Sequence, residues 1–448
     1  MLAFVLIWAN KITREAQMPE STSIRERNYS TDKDMPALVK GSKRICLPID
    51  QKQYTRIVAD PVAFRQCVDE MIAQYPELFP ATITGGYTLD GLLPVSRKMP
   101  DIRLRRIRVA DSEDSKENVF TMAPSFVLPY MVGYTDDVES ALFLHGKFGV
   151  PFWGLTHVFG HDDMYWERVY LRFGRNSLVG TTVKQPDELP TDLLADEKHT
   201  RLNGDKVFVA TTVGDDCVLG ASVARQADEH DLTEAYGQFK VEAQQVKPDY
   251  QPTTVNTDGW AATQLAWRTL FAQVVLIACF LHAFLKIRDR CKRLEDHFAD
   301  LCRRVWDAYH APDPQQFLTQ CDALKTWAIQ TLPAGSGLDA VLKLCGRAPE
   351  FIQAYAYPTA HRTSNMLDRL MDHMDRVFYH ARYFHGHLMT MEYSVRAGAL
   401  LANFLPYSPR AAVAAQYQSP AHKLNGFVYH EKWLHNLLVS ASMGGYRQ

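Results

Sequence analysis

The sequence has no C-x-x-C pair and no dense cysteine framework. Its eight cysteines, Cys46, Cys67, Cys217, Cys279, Cys291, Cys302, Cys321 and Cys345, are scattered over 448 residues. That pattern argues against a disulfide-stapled secreted scaffold and for a reducing compartment. An excess of either charge is also lacking, with 49 Lys and Arg against 51 Asp and Glu and a net charge of -2. Any grip on nucleic acid must therefore come from local patches. Runs of membrane length are missing as well. The opening Met1 to Trp8 is apolar but has no basic region before it and no small-residue cleavage site, so it does not read as a signal peptide. Phe271 to Leu285 is too short for the ~30 Å of a bilayer core and ends in Lys286-Ile287-Arg288-Asp289-Arg290, which fits a buried strand feeding a helix. The expectation is an intracellular protein without a membrane partner.

What is present is an ordinary globular composition, 46% apolar and 22% charged, long enough for two to three domains. Residues 1–47 are polar and aperiodic after the first eight and read as a disordered tail. Residues 48–185 read as a mainly helical N-terminal region. Within it Arg97, Lys98, Arg103, Arg105, Arg106 and Arg108 fall inside twelve positions. Alternation through Ile102-Arg103-Leu104-Arg105, continued out of phase by Arg106-Ile107-Arg108, would line guanidinium groups along a strand. Two uses compete for such a strand: a phosphate-binding face and a solvated edge guarded by charge. Helices are expected at Val138 to Lys147, Pro151 to Phe159 and Asp162 to Phe173, punctuated by Gly149 and Gly160. Segment 138–174 thus has a helix-turn-helix pattern, with Arg168 and Arg172 as candidate DNA contacts, and any small trihelical bundle would look the same.

From residue 186 the pattern changes to strands. Asp192 to Lys198 is a short apolar run that ends in acid, and Asn203-Gly204 signals a hairpin. Lys206 to Val213 and Cys217 to Ala224 follow as strands, joined at Gly214-Asp215-Asp216, whose two acids read as turn residues. Helix Leu232 to Val246, a strand ending at Thr257-Asp258-Gly259, helix Ala261 to Phe271 and strand Val274 to Ala278 complete the order β-β-β-α-β-α-β. That is the order of an RNase H-like mixed sheet, in which the first and fourth strands are neighbours. Asp196 and Asp258 would then meet although they are 258 − 196 = 62 positions apart. Carboxylates brought together in this way call for a divalent cation.

Asp258-Gly259-Trp260, then Cys279-Phe280-Leu281-His282, then Arg362-Thr363-Ser364-Asn365-Met366-Leu367-Asp368-Arg369-Leu370 resemble, in order, three elements of DDE/D transposases of the Mutator-like insertion-sequence group: the D-G motif, the C-x-x-H motif and R-T-T-N-x-x-E-R. The resemblance spans roughly residues 190–410. It implies Asp196, Asp258 and Asp368 as catalytic ligands of two Mg²⁺ ions, with Mn²⁺ as a substitute, and a supporting role for Cys279, His282 and Asn365. It also implies a catalytic domain of residues 186–285 and 356–410 interrupted by an all-helical insertion at 286–355, with residues 411–448 left as a tail. Asp368 stands where the family has Glu and is one methylene shorter, which makes Glu392 the alternative third ligand. Trp306 and Trp327 of the insertion read as packing residues.

The function this implies is cleavage and strand transfer at the inverted-repeat ends of a mobile element. The protein would act on double-stranded DNA as a dimer or larger assembly, in a prokaryotic, nucleoid-associated setting. Two other uses of the same residues remain open. One is an RNase H-like nuclease or a decayed transposase that only binds DNA. The other is a zinc-stabilised regulator built on Cys279 and His282.

Overall fold

In the computed structural model, residues 42–110, 117–380 and 383–446 are described. Most of the expected tail, residues 1–41, lies outside them. The end of that tail is ordered structure: Arg44–Leu47 forms strand β1, with Ile45, Cys46 and Leu47 buried. Two short helices follow, α1 (Gln51–Ile57) and α2 (Pro61–Gln74). Asp50 and Asp60 accept the free amide hydrogens at their first turns, and Pro61 opens α2.

The N-terminal region is less helical than expected. Strands β2 (Tyr87–Leu92), β3 (Arg105–Ala110) and β4 (Glu117–Pro124) join β1 in a four-stranded sheet of order β1-β4-β3-β2, parallel only between β1 and β4. Its arginines do not share one face. Ile107 and Val109 point into the core, and Arg106 and Arg108, on the other face of the strand, converge on Asp90. Arg105 is turned inward and 5% exposed. It donates to the carbonyls of Val58 and Ala59 and lies over the Phe64 ring, so it serves the fold and not DNA. Arg103 alone of the four is fully exposed. Arg105→Ala would strand those carbonyls. It is expected to lower stability by about 1.5–3 kcal/mol, read as a shift in urea midpoint, while leaving DNA affinity unchanged.

Helices α3 (Thr135–Phe148), α4 (Phe152–Phe159) and α5 (Asp163–Phe173) stand where the punctuation placed them. Gly149 closes α3 in the left-handed conformation, and Asp162 accepts the Tyr165 amide. Their outward surface carries Trp153, Val158, Asp163 and Met164, so it is apolar and acidic more than basic. Arg168 pairs with Asp162 at 3.7 Å, and Arg172 stacks on Tyr130. The short helix α6 (Leu178–Thr182) leads to the second sheet.

That sheet contains β5 (Asp192–Leu202), β6 (Asp205–Gly214), β7 (Cys217–Ala224), then α7 (Glu229–Val246), β8 (Thr254–Thr257), α8 (Ala261–Leu270) and β9 (Val275–Ala278). The strand order is β7-β6-β5-β8-β9, with antiparallel hairpins β5-β6-β7 and parallel β5-β8-β9. Both hairpin turns use residues that accept positive φ, Asn203-Gly204 and Asp215-Asp216. Successive residues fall into two separate cores. Leu193, Ala195, Phe208, Ala210 and Leu219 pack with Tyr236, Phe239 and Trp267 of α7 and α8. Leu194, Val207, Val209 and Val218 pack on the other side with the residues of the N-terminal region. Burial on both faces explains why these strands read as continuous apolar runs.

After β9 come α9 (Phe280–Cys291), α10 (Glu295–Tyr309), α11 (Pro314–Thr331), α12 (Ser336–Gly346) and α13 (Ala348–Phe351), which enclose a hydrophobic core of their own. Trp306 packs there on Phe280, Phe284 and Tyr309. The chain returns through α14 (Asn365–His380) and α15 (Leu388–Phe404). The expected C-terminal tail is core structure. In α16 (Pro420–Asn425) and α17 (Trp433–Ser440), Leu434, Leu437 and Val439 are fully buried, and Ser442 and Met443 bond to the backbone of Cys46, Ser42 and Leu78. Interruptions by Gly426, His430 and Lys432 masked the apolar periodicity of these short helices. Among the described residues, no helix is long and apolar enough to cross a membrane.

Candidate metal centre

The register of the second sheet sets the site. Asp192 pairs with Thr254 and Leu194 with Asn256, so Asp196, two residues on along β5, is level with Asp258 just past β8. Asp258 therefore follows the end of β8, and Asp196 lies midway along the longer β5, two residues past its last pairing with β8. Asp196 shares its face with Leu194 and accepts the Glu197 amide at 2.8 Å. Glu197 points to the other face, where its Oε1 accepts the hydroxyls of Tyr236 and Thr263, each at 2.7 Å. Alternation along the strand thus separates the two acids.

Two helix starts complete the cluster. His282 lies in the first turn of α9, whose backbone is tied down by Cys279 N–H to Thr257 O and Phe280 N–H to Arg362 O. Asp368 lies in the first turn of α14, where Ser364 Oγ donates to its Oδ2 at 2.9 Å and the Cys279 thiol donates to Ser364 Oγ at 3.4 Å. One ligand atom each from Asp196, His282 and Asp368 comes within 4.8 Å of the other two. Among the described residues this is the one such group of three metal-ligating side chains, and it contains no cysteine. Nδ1 of His282 is buried and has no hydrogen-bond partner, as an atom reserved for a ligand would be.

Asp258 is outside that trio. Its carboxylate accepts the Trp260 amide at 2.7 Å, yet its charge reaches Asp196. Glu392 is elsewhere: its Oε2 accepts the Val223 amide on β7 at 2.7 Å, in a pocket shared with Arg396. The structure thus gives no support to Glu392 as a substitute for Asp368. Asn365 is exposed and bonds only locally, to Thr363. Sequence reasoning missed Arg347. Its guanidinium is held by Glu350 and presses on Gly259, where a Cβ would come within 3.0 Å of Nη2. The spacing Arg347-x-x-Glu350 at a helix junction was its only sign.

A Ser-His-Asp grouping also exists, with Ser125 on Nδ1 of His435 and Asp136 on Nε2. Ser125 is fully buried, so no substrate reaches it and the grouping pins α17 to α3.

The electrostatics of the cluster are those of charges brought together out of water. Burial, then the charges of Asp258 and Asp368, push Asp196 up to about 6, against the pull of His282. Burial likewise raises Asp368 and pushes Glu197 up to about 7. Burial alone would lower His282, but the Cys279 contact and the two aspartates outweigh it and push the imidazole up to about 9. In every one of these cases the folded chain holds protons that the unfolded chain has released. The stability these four groups contribute is expected to fall as pH rises from about 4, where free aspartate titrates, through 9. The expected loss is on the order of a few kcal/mol in chelator-treated protein. Urea unfolding at pH 5, 7 and 9 measures it, and Asp196→Asn should flatten the profile.

No protein-family profile matches this chain, and no curated protein does either.

Proposed function

We propose that the chain is a metal-dependent DNA strand transferase of the DDE/D transposase kind, built on an RNase H-like core. The observation that carries this reading is the convergence of Asp196 and Asp368 with His282 beside Asp258, where the parallel pairing of β5 and β8 ends. The sheet order β7-β6-β5-β8-β9, the helical segment that follows β9 and the return at Arg362 to Asp368 support it.

Asp196 and Asp368, with Asp258 alongside, would hold the ions. Bound divalent ions supply the Lewis acidity and the activated water that in-line attack on a phosphodiester requires. The chain does the positioning. Ser364, itself held by Cys279, fixes the rotamer of Asp368, and β5 and β8 fix the separation of Asp196 and Asp258. Arg347 brings a cation from the helical segment against the Asp258-Gly259 turn, where a substrate phosphate would pass. Arg103, Arg168 and Arg172 remain for phosphates further out, with Arg106 and Arg108 already shared with Asp90. The partner would be double-stranded DNA, with two ends held by at least two copies of the chain.

The test is incubation of the full chain with supercoiled plasmid and labelled duplex in Mg²⁺ or Mn²⁺. Nicks that leave 3′-hydroxyls, followed by joining of labelled ends to plasmid, are expected. Nicking without joining would reduce the activity to that of a nuclease. Neither, from folded metal-bound protein, would leave only DNA binding.

A further inference from the structure

The donor set at this centre is not the one a magnesium site would use. Mg²⁺ takes oxygen ligands in near-ideal octahedral geometry and gives up its waters reluctantly. Here a half-buried imidazole stands among the carboxylates, close enough for one atom of each of Asp196, His282 and Asp368 to share an ion. We propose that His282 is a direct ligand, so that the centre selects a transition-series divalent cation, Mn²⁺ before Mg²⁺. This rests on the reading that the centre binds a divalent ion at all.

Three observations lead there. His282 does not hang from a loop. It lies one turn into α9, whose start is bonded to Thr257 at the end of β8 and to Arg362 just before α14, so the elements that bear Asp258 and Asp368 also aim the imidazole. Its Nδ1 is shielded from solvent and accepts no hydrogen bond, with the Cys279 thiol as its neighbour, a costly condition for a ring nitrogen with no ligand to meet. The two carboxylates that flank it have different supports. Asp368 is oriented by Ser364, whereas Asp196 takes only the amide of its neighbour, Glu197. That leaves Asp196 acceptor capacity for an ion that it would hold with His282 and Asp368. Imidazole suits Fe²⁺ and Zn²⁺, Mn²⁺ is the member of the first-row series nearest to Mg²⁺ in its taste for carboxylates, and affinities for a mixed N,O site rise from Mn²⁺ through that series.

Pulsed EPR on the full chain, stripped with chelator and loaded with Mn²⁺, reads ligation without any need for activity. Nitrogen modulation from ¹⁴N is expected, and it should change to the ¹⁵N pattern in protein grown with ¹⁵N-histidine. His282→Gln should lose it and weaken Mn²⁺ binding by about tenfold or more, with a smaller effect on Mg²⁺. Asp258→Asn should retain it. Should His282→Gln fail to fold, the labelled wild-type protein decides alone. Mn²⁺ that binds in an Asp196-dependent manner with no nitrogen modulation would overturn the role of His282 and leave the metal centre standing. No Asp196-dependent Mn²⁺ binding would overturn both. Equal affinity for Mg²⁺ and Mn²⁺ would overturn the selectivity.

Discussion

Asp258→Asn and Asp196→Asn are each expected to reduce metal-dependent strand cleavage by at least about 10³-fold, with DNA affinity within about twofold of wild type. The amide keeps the shape of the carboxylate and its acceptor oxygen, so the Asp258-Trp260 turn and the Asp196 bond to the Glu197 amide survive. What is removed is one negative charge from a cluster whose members already raise each other's proton affinity. Loss of that charge weakens a cation, while the phosphate contacts of the arginines are untouched. The two variants should separate in metal binding. Asp196 belongs to the convergent trio and its replacement should abolish the tighter binding event; Asp258 is outside it and its replacement should spare that event. Calorimetric titration with Mn²⁺ alongside a nicking assay checks both. Parallel loss of DNA binding in either variant would count against the assignment.

The second sheet was legible because its strands obey local rules. Asn203-Gly204 and the Asp215-Asp216 turn can only be tight connections, and the intervening runs are apolar on both faces because both faces are covered. That Asp196 comes level with Asp258 was legible too, since parallel neighbour strands turn a fixed offset in sequence into a shared level in space. What was not legible depends on partners distant in sequence. Arg105 looks like its neighbours Arg106 and Arg108 until the Val58 carbonyl and the Phe64 ring are brought to it. The last thirty residues read as polar because each helix is too short to display a period, although their apolar side chains fill the core under β1. Asp368 raised doubt as a short acid in place of a longer one. Helix α14 brings it close enough that one carboxylate oxygen already meets Asp196 and His282.

The largest stability effect is expected at Arg396, a residue with no place in the proposed chemistry. Its guanidinium donates to the carbonyls of Gly174 and Asn176 and to Glu242, with 7% of the arginine side chain and 1% of the glutamate exposed. Glu242 in turn accepts from Ser177 Oγ, the Val179 amide and Gln238. The pair thus ties the segment after α5 to α7 and α15, at a point where Gly174 touches the backbone of Tyr393 so closely that a Cβ would overlap it. Breaking a buried pair by removal of one partner costs about 3–5 kcal/mol, because the other charge stays buried and unmatched. The two removals are not equivalent. Glu392 is half-buried beside Arg396, and that arginine opposes the rise that desolvation imposes on the Glu392 carboxyl. Glu242→Gln leaves Arg396 with Glu392 still near. Arg396→Met leaves the buried Glu242 and the half-buried Glu392 with no cation between them, and two carbonyls without a donor. Arg396→Met is therefore expected to cost more than Glu242→Gln, and Arg396→Met combined with Glu242→Gln less than the sum of the two. Guanidinium unfolding of the three variants checks the order. Equal losses would mean that Glu392 is neutral already and that the arginine serves Glu242 alone.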